Sequence, residues 1–186
     1  MKRVTTYLAH KPALLAHVQA VAEINRQIAE QYDLNADVCE LCGWLHDLGA
    51  ALTPEEMLAQ AAEQEWALCE AERNYPSLLH QRVSALLAER DFGVTDERVL
   101  SAVACHSTLR ENASAYDMAL FVADKLSWDV PTLRDALRKG LKYSLEATSL
   151  VYVDFAIENK MISQPHPWFE QGATWLRHHE KIAKKA

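Results

Sequence analysis

The chain has 186 residues, enough for one domain with a sizeable core. Its 49% hydrophobic and 24% charged residues are those of an ordinary globular protein. A net charge of −7 argues against non-specific nucleic-acid binding, yet leaves a phosphate substrate open, because bound metal supplies positive charge locally.

Pro12 to Tyr32 reads as the first strong helix. Leu14, Val18, Val21, Ala22 and Ile28 lie at helical spacing, and His17 belongs to an adjoining stripe. A second helix starts near Asn35 and runs to His46-Asp47, with Gly49 as its stop signal. Thr53-Pro54-Glu55-Glu56 has the form of a cap, a first-turn proline and an acidic first turn, opening a helix through Met57 to Cys69. Pro76-Ser77 opens the next segment, with His80, and Phe92-Gly93 closes it. Thr95-Asp96 begins another, in which Val99, Val103 and His106 are spaced by four and three. Ser107 to Ala115 reads as a loop. Tyr116 to Trp128 is helical and holds Asp124, and Pro131 starts a further helix. Apolar helical stretches follow around Leu150–Ile157 and Trp168–Leu176. No alternating pattern of strand length stands out, so the expected fold is all-α. One domain is expected over 1–186, with 161–186 a C-terminal helical extension.

The start of the chain, Met1 to Tyr7, lacks the apolar run of an export signal, and no stretch is apolar enough to cross a bilayer. Cys39, Cys42, Cys69 and Cys105 therefore read as reduced thiols, and a cytoplasmic location is expected. Cys39-x-x-Cys42 reads as two small residues on one helix face. The closing Lys181, Lys184 and Lys185 read as a solvated helix end.

His17, His46, Asp47, His80, His106 and Asp124 are the residues with chemistry to offer. Imidazole and carboxylate are the ligands that borderline divalent metals prefer. With His46-Asp47 taken as one, each of the five sites lies within or at the end of a helical apolar segment. Asp124 follows Phe121-Val122-Ala123, where an unpaired carboxylate is costly. A cation that neutralises such a set gives it a reason to be buried together. A metal-dependent hydrolase is the expectation. His10, His166, His178 and His179 read as surface residues.

His17, His46-Asp47 and Asp124 match the H…HD…D pattern of the HD metal-dependent phosphohydrolases. With His80 in Leu78-Leu79-His80, Cys105-His106-Ser107-Thr108 and Phe121-Val122-Ala123-Asp124-Lys125-Leu126, the sequence resembles the bacterial YqeK-type symmetrical diadenosine tetraphosphate hydrolases over about residues 10 to 160. The resemblance implies an all-helical HD fold with two divalent ions, iron in the family. His-rich ligation also suits manganese, cobalt, nickel or zinc. It further implies that His17, His46, Asp47 and Asp124 hold one ion, and that Asp47 bridges to a second held by His80 and His106. A nucleotide substrate, cleaved to two ADP, is implied with it, with no nucleic-acid or membrane partner.

Three positions depart from the family pattern: Leu14 and Ala50-Ala51 stand where basic residues are usual, and Ser127-Trp128-Asp129 where a Pro and an Arg are common. Lys125, next to a ligand, is the first substitute, as a catalytic or phosphate-binding cation. Thr108, Arg110, Trp128 and Arg134 are further candidate substrate contacts. Other phosphohydrolase activities, or a nucleotide-binding module that keeps the metal, are the rival readings. The Trp-bearing C-terminal segment could cover the core or meet a second subunit in a homodimer.

Overall fold

Short-range capping divides the chain into helices. Asn35 Oδ1 accepts from Val38 N, Thr53 and Ser114 each form a capping box, and Ser144 caps through Ala147 N. Prolines fill first-turn positions at Pro12, Pro54 and Pro131. The computed structural model describes the backbone of residues 1–183 and the side chains of residues 1–179; the three closing lysines lie outside those side chains.

The helices are α1 Lys2–Tyr7, α2 Pro12–Gln31, α3 Ala36–Leu45, α4 Pro54–Glu63, α5 Glu70–Asn74, α6 His80–Arg90, α7 Glu97–Cys105, α8 Ala115–Leu126, α9 Pro131–Gly140, α10 Leu145–Glu158 and α11 Pro167–Ala183. Single 3-10 turns cover Gly49–Ala51 and Pro76–Leu79. Among the described residues there is no strand, and no helix is long and apolar enough to cross a membrane. The all-α, single-domain expectation holds.

Helix α8 is the axis of the core. Every residue from Asp117 to Leu126 is buried, under α2, α3, α7, α9 and α10. Phe121 meets Tyr152 of α10 edge-on at 5.3 Å. A helix buried all round has no solvated face for its polar side chains, so Asp124 and Lys125 must find partners inside.

Two glycines set the spacing around α3. A Cβ on Gly43 would lie 2.4 Å from Ala22 Cα of α2. A Cβ on Gly49 would lie 2.4 Å from the His80 carbonyl oxygen. Gly49 is therefore not the stop signal that the sequence suggests. Helix α3 ends at Leu45, before it, and among the described glycines only Gly93 has positive φ, at 73°. Gly49 serves close approach, and its N–H donates to Ser84 Oγ at 2.8 Å.

Other boundaries also differ from the sequence reading. Helix α4 ends at Glu63 rather than Cys69: Glu65 adopts φ 51° and Trp66 N turns back to Ala61 O. Cys69 caps α5 instead, and its N–H is bound by the Glu72 carboxylate. Helix α1 is absent from the sequence reading; its one buried residue, Val4, is too little apolar signal to show a period. Cys39 and Cys42 are fully buried on α3, and burial pushes the Cys39 thiol up to about 11 and Cys42 well above its ordinary value. Such thiols are inert.

Candidate metal centre

The six predicted residues come from five separate elements and meet at one point. His17 lies on α2, His46 and Asp47 at the end of α3, and His80 opens α6. His106 ends α7, and Asp124 lies on α8. His46 and His106 are fully buried, whereas His17 and His80 reach the surface in part.

Local backbone fixes three of the imidazoles. The Nδ1–H of His46 donates to Gly43 O at 2.8 Å, that of His80 to Ser77 O at 2.7 Å, and that of His106 to Val103 O at 2.8 Å. Each bond joins a ring to the carbonyl three residues earlier, so Nε2 is the unprotonated nitrogen in all three. His17 Nδ1 instead faces Ser127 Oγ at 3.4 Å, and that hydroxyl donates to Asp124 O at 2.6 Å.

The Nε2 atoms then stand in two pairs. His17 and His46 are 3.1 Å apart, and so are His80 and His106. Asp47 lies between the pairs with one oxygen turned to each. Its Oδ2 is 3.5 Å from His17 and 3.6 Å from His46, and its Oδ1 is 3.5 Å from both His80 and His106. Asp124 Oδ1 adds to the first pair, 3.3 Å from His17 and 3.9 Å from His46.

Facing lone pairs with no proton between them repel, whereas a cation between them is attractive. Metal–nitrogen bonds of about 2.1 Å place neighbouring ligand atoms roughly 3 to 3.5 Å apart at octahedral or tetrahedral angles. The two imidazole pairs at 3.1 Å and all but two of the carboxylate spacings fall in that range, so the residues present fit divalent ions. His17, His46 and Asp47 form one cluster able to hold a metal, and Asp47, His80 and His106 another.

Burial pushes His106 down to about 4, against the pull of Asp47, and burial likewise lowers His46. His17 is raised, chiefly by its hydrogen bond to Asp124. Burial opposes ionisation of Asp47, but His46, His106 and His80 outweigh it and hold the carboxyl below its usual range. Burial also opposes Asp124, where Lys125 and His17 win. Both carboxylates are ready as anionic ligands.

The predicted substrate contacts divide. Lys125 is buried, and its Nζ donates to His106 O at 2.6 Å and Asp124 Oδ2 at 3.0 Å, 4.3 Å from the Phe121 ring centroid. Trp128 Nε1 donates to Asp124 Oδ1 at 3.3 Å. Thr108 is buried, with its hydroxyl on Gln81 Oε1. Lys125, Trp128 and Thr108 all line a cavity of about 200 Å³ that opens beside the clusters. Arg110 and Arg134 do not line it. Arg110 donates to Ser101 Oγ at 2.6 Å, and Arg134 to Trp128 O at 2.7 Å.

Sequence reading missed four residues here. Ser107, on the cavity wall, places its hydroxyl 2.9 Å from His80 Nε2. Ser127 supports His17. Both lie within three residues of a ligand, which was the available signal. Gln81, fully buried, accepts from Ser107 N, Thr108 N and Thr108 Oγ1 and so pins that loop. His166 is a correction: it is buried at 5% exposure rather than on the surface, 3.6 Å from buried Glu72. Its flanking prolines, Pro165 and Pro167, were the only hint. Cys69, Glu72 and His166 form a third cluster of metal-ligand types. Its chemistry does not suit a metal. Arg82 already donates to Glu72 at 2.8 Å, and the Trp168 N–H occupies His166 Nδ1, which leaves the proton on Nε2.

The HD domain family model matches residues 14–129, a span that holds all six residues of the centre. The chain belongs to the HD domain family. It is 36% identical over 131 residues to a Lactococcus lactis subsp. cremoris protein described as an uncharacterized protein in the pepC 5' region, covering 69% of this chain and 67% of that one. It is 33% identical over 109 residues to the symmetrical bis(5'-nucleosyl)-tetraphosphatase of Staphylococcus aureus (strain NCTC 8325 / PS 47). That match covers 58% of this chain and only 55% of the staphylococcal enzyme. In fold it is similar to a crystal structure from Clostridium acetobutylicum described as a predicted HD superfamily hydrolase involved in NAD metabolism. The TM-score is 0.88 at 22% identity, over 96% of this chain and 97% of that one.

Proposed function

We propose that the protein is a metal-dependent phosphohydrolase that cleaves a dinucleoside tetraphosphate at its central bridge, giving two nucleoside diphosphates. One observation carries the reading: a single carboxylate, Asp47, turns one oxygen to each of two imidazole pairs whose unprotonated nitrogens converge. The name of the staphylococcal relative supports the substrate class. Iron is the ion the resemblance favours, with His17, His46, Asp47 and Asp124 holding one ion and Asp47, His80 and His106 a second.

Divalent ions held there would supply Lewis acidity and a nucleophile at neutral pH. In this reading the chain's own groups do the positioning. Asp47 sets the distance between the two halves. Lys125 balances Asp124 and keeps that carboxylate aimed inward. The Ser107 hydroxyl, on the cavity wall, offers a donor to a phosphate oxygen. Trp128, tethered to Asp124, and Ile162 and Phe169 from the C-terminal segment wall the space where a nucleoside would lie.

The test is product analysis after diadenosine tetraphosphate is mixed with protein loaded anaerobically with iron(II), with Asp47→Ala as control. ADP as sole product, absent in the control, is expected. AMP with ATP would overturn the cleavage position. Nucleotide binding without turnover, in protein that holds its metals, would overturn the enzyme reading in favour of a binding module.

A further inference from the structure

Tyr152 of α10 is a buried side chain whose polar end is left without a bond. The residue is 6% exposed, and its ring is fixed edge-on against Phe121 at 5.3 Å and Trp128 at 5.7 Å. The phenol makes no hydrogen bond to any described residue. Its oxygen is also not one of the partnerless polar atoms that are sealed off, so the small exposed area includes that oxygen. The space it meets is the cavity of about 200 Å³ beside the metal clusters, which Tyr152 lines with Ser107, Lys125 and Trp128. Buried tyrosine hydroxyls normally find a partner, and an exception calls for one.

The surroundings say what kind of partner suits. Lys125 Nζ lies 5.3 Å from the Tyr152 ring centroid and 3.0 Å from Asp124 Oδ2, so the ring stands beside the Asp124 side of the centre. Burial first, and then the Asp124 charge, push the phenol up to about 12, which keeps it a donor at neutral pH. Among the described residues that line the cavity there is no carboxylate, while Ser107 and Lys125 bring a hydroxyl and an ammonium. Thr108 Oγ1 already donates to Gln81 Oε1 and Trp128 Nε1 to Asp124 Oδ1, whereas the Tyr152 hydroxyl is uncommitted. Donors without a competing anion suit a ligand that is all acceptor. The non-bridging oxygens of a phosphate are that, whereas sugar hydroxyls and base edges bring donors as well.

We propose that Tyr152 is a substrate-binding residue whose phenol hydroxyl donates to a non-bridging phosphate oxygen of the nucleotide in this cavity. The inference rests on the phosphohydrolase reading above. It adds a contact from α10, beyond the 14–129 span that holds the metal ligands. A donor already fixed by two ring contacts loses little freedom when it binds.

Tyr152→Phe removes the hydroxyl and keeps the ring. Calorimetric titration of ADP and of pyrophosphate into metal-loaded wild type and variant reads the contact without turnover. Both ligands should bind the variant about tenfold more weakly, the loss of one hydrogen bond to a charged acceptor. Metal content should be unchanged, because Tyr152 is not a ligand. The melting temperature should hold, because no bond within the protein is lost. Equal affinities of variant and wild type for both ligands would overturn the contact. A loss confined to ADP would overturn the phosphate assignment and place the hydroxyl on the nucleoside. A lower metal content, or a clear fall in melting temperature, would overturn it in favour of a role in the centre or in the fold. Failure of the phosphohydrolase reading would show separately: the wild type would then bind neither ligand, and the contact would fall with it.

Discussion

Gly43→Ala is the substitution that best tests how the helices set the metal centre. The added methyl would meet Ala22 Cα at 2.4 Å, Ala22 N at 2.5 Å and Val21 C at 2.9 Å. All three are backbone atoms of α2, which no rotamer change can move. Carbon contacts are comfortable at about 3.5–4.0 Å, so α2 and α3 must part by roughly 1 Å. Overpacking of this kind costs up to about 3 kcal/mol. Alanine returns about 1 kcal/mol as a better helix former than glycine. The net loss is about 2 kcal/mol, a fall in melting temperature of roughly 4–8 °C for a chain of this size. The same parting separates His17 on α2 from His46 at the end of α3, whose Nε2 atoms stand 3.1 Å apart. Metal held by that pair should weaken, while the His80–His106 pair is spared. Thermal melts with and without added metal, together with metal analysis of the purified variant, give both numbers. A variant that melts at or above the wild-type temperature with full metal content would refute the claim that this contact sets the ligand spacing.

Lys125→Met should cost about 3 kcal/mol in metal-free protein, because it removes the cation beside the buried Asp124 carboxylate and leaves it only His17 and the Trp128 N–H. Denaturant titration should find a smaller cost with metal present, since an ion takes over the counter-charge; equal costs would put the role of Lys125 elsewhere. Thr108→Val should lose about 1 kcal/mol through its bond to Gln81 while KM stays unchanged. A raised KM at unchanged stability would instead place that hydroxyl on substrate. The pair formed by Glu72 and Arg82 predicts an acid-sensitive contribution. Burial opposes the Glu72 carboxylate, but His166 and Arg82 bring it from its ordinary 4.5 to about 2. A lowered carboxyl stabilises the fold fully above 4.5, and that contribution is lost as pH falls toward 2. The stability gap between wild type and Glu72→Gln should therefore shrink over that interval; a gap independent of pH would contradict it.

Much of the centre was legible because ligand chemistry and helix period coincide in the sequence. His17, His46 and Asp124 each interrupt an apolar stripe with a group that is costly to bury alone. That conflict points to a shared cation. The groups that support the ligands gave no such conflict. Ser127 and His17 are 110 residues apart, Gln81 and Ser107 are 26 apart, and Ser and Gln are unremarkable on any helix. Their roles exist only once distant segments meet. Gly49 was misread because a stop signal and a close approach both call for glycine, and only the position of the His80 carbonyl separates them. Lys125 was legible as a cation beside a ligand, but not as one fastened to two groups of the centre.

The three bonds from Nδ1 to the carbonyl three residues earlier have a consequence for how the centre tolerates change in the rest of the fold. They close within one helix end, so they need only local chain. The aim of His46, His80 and His106 is thus set within each helix end and asks for no contact between the three. His17 is different. Its Nδ1 partner, Ser127, arrives only when α2 closes on the end of α8. Three ligands are aimed by their own stretch of chain, and the fourth is aligned by the closing of the mould.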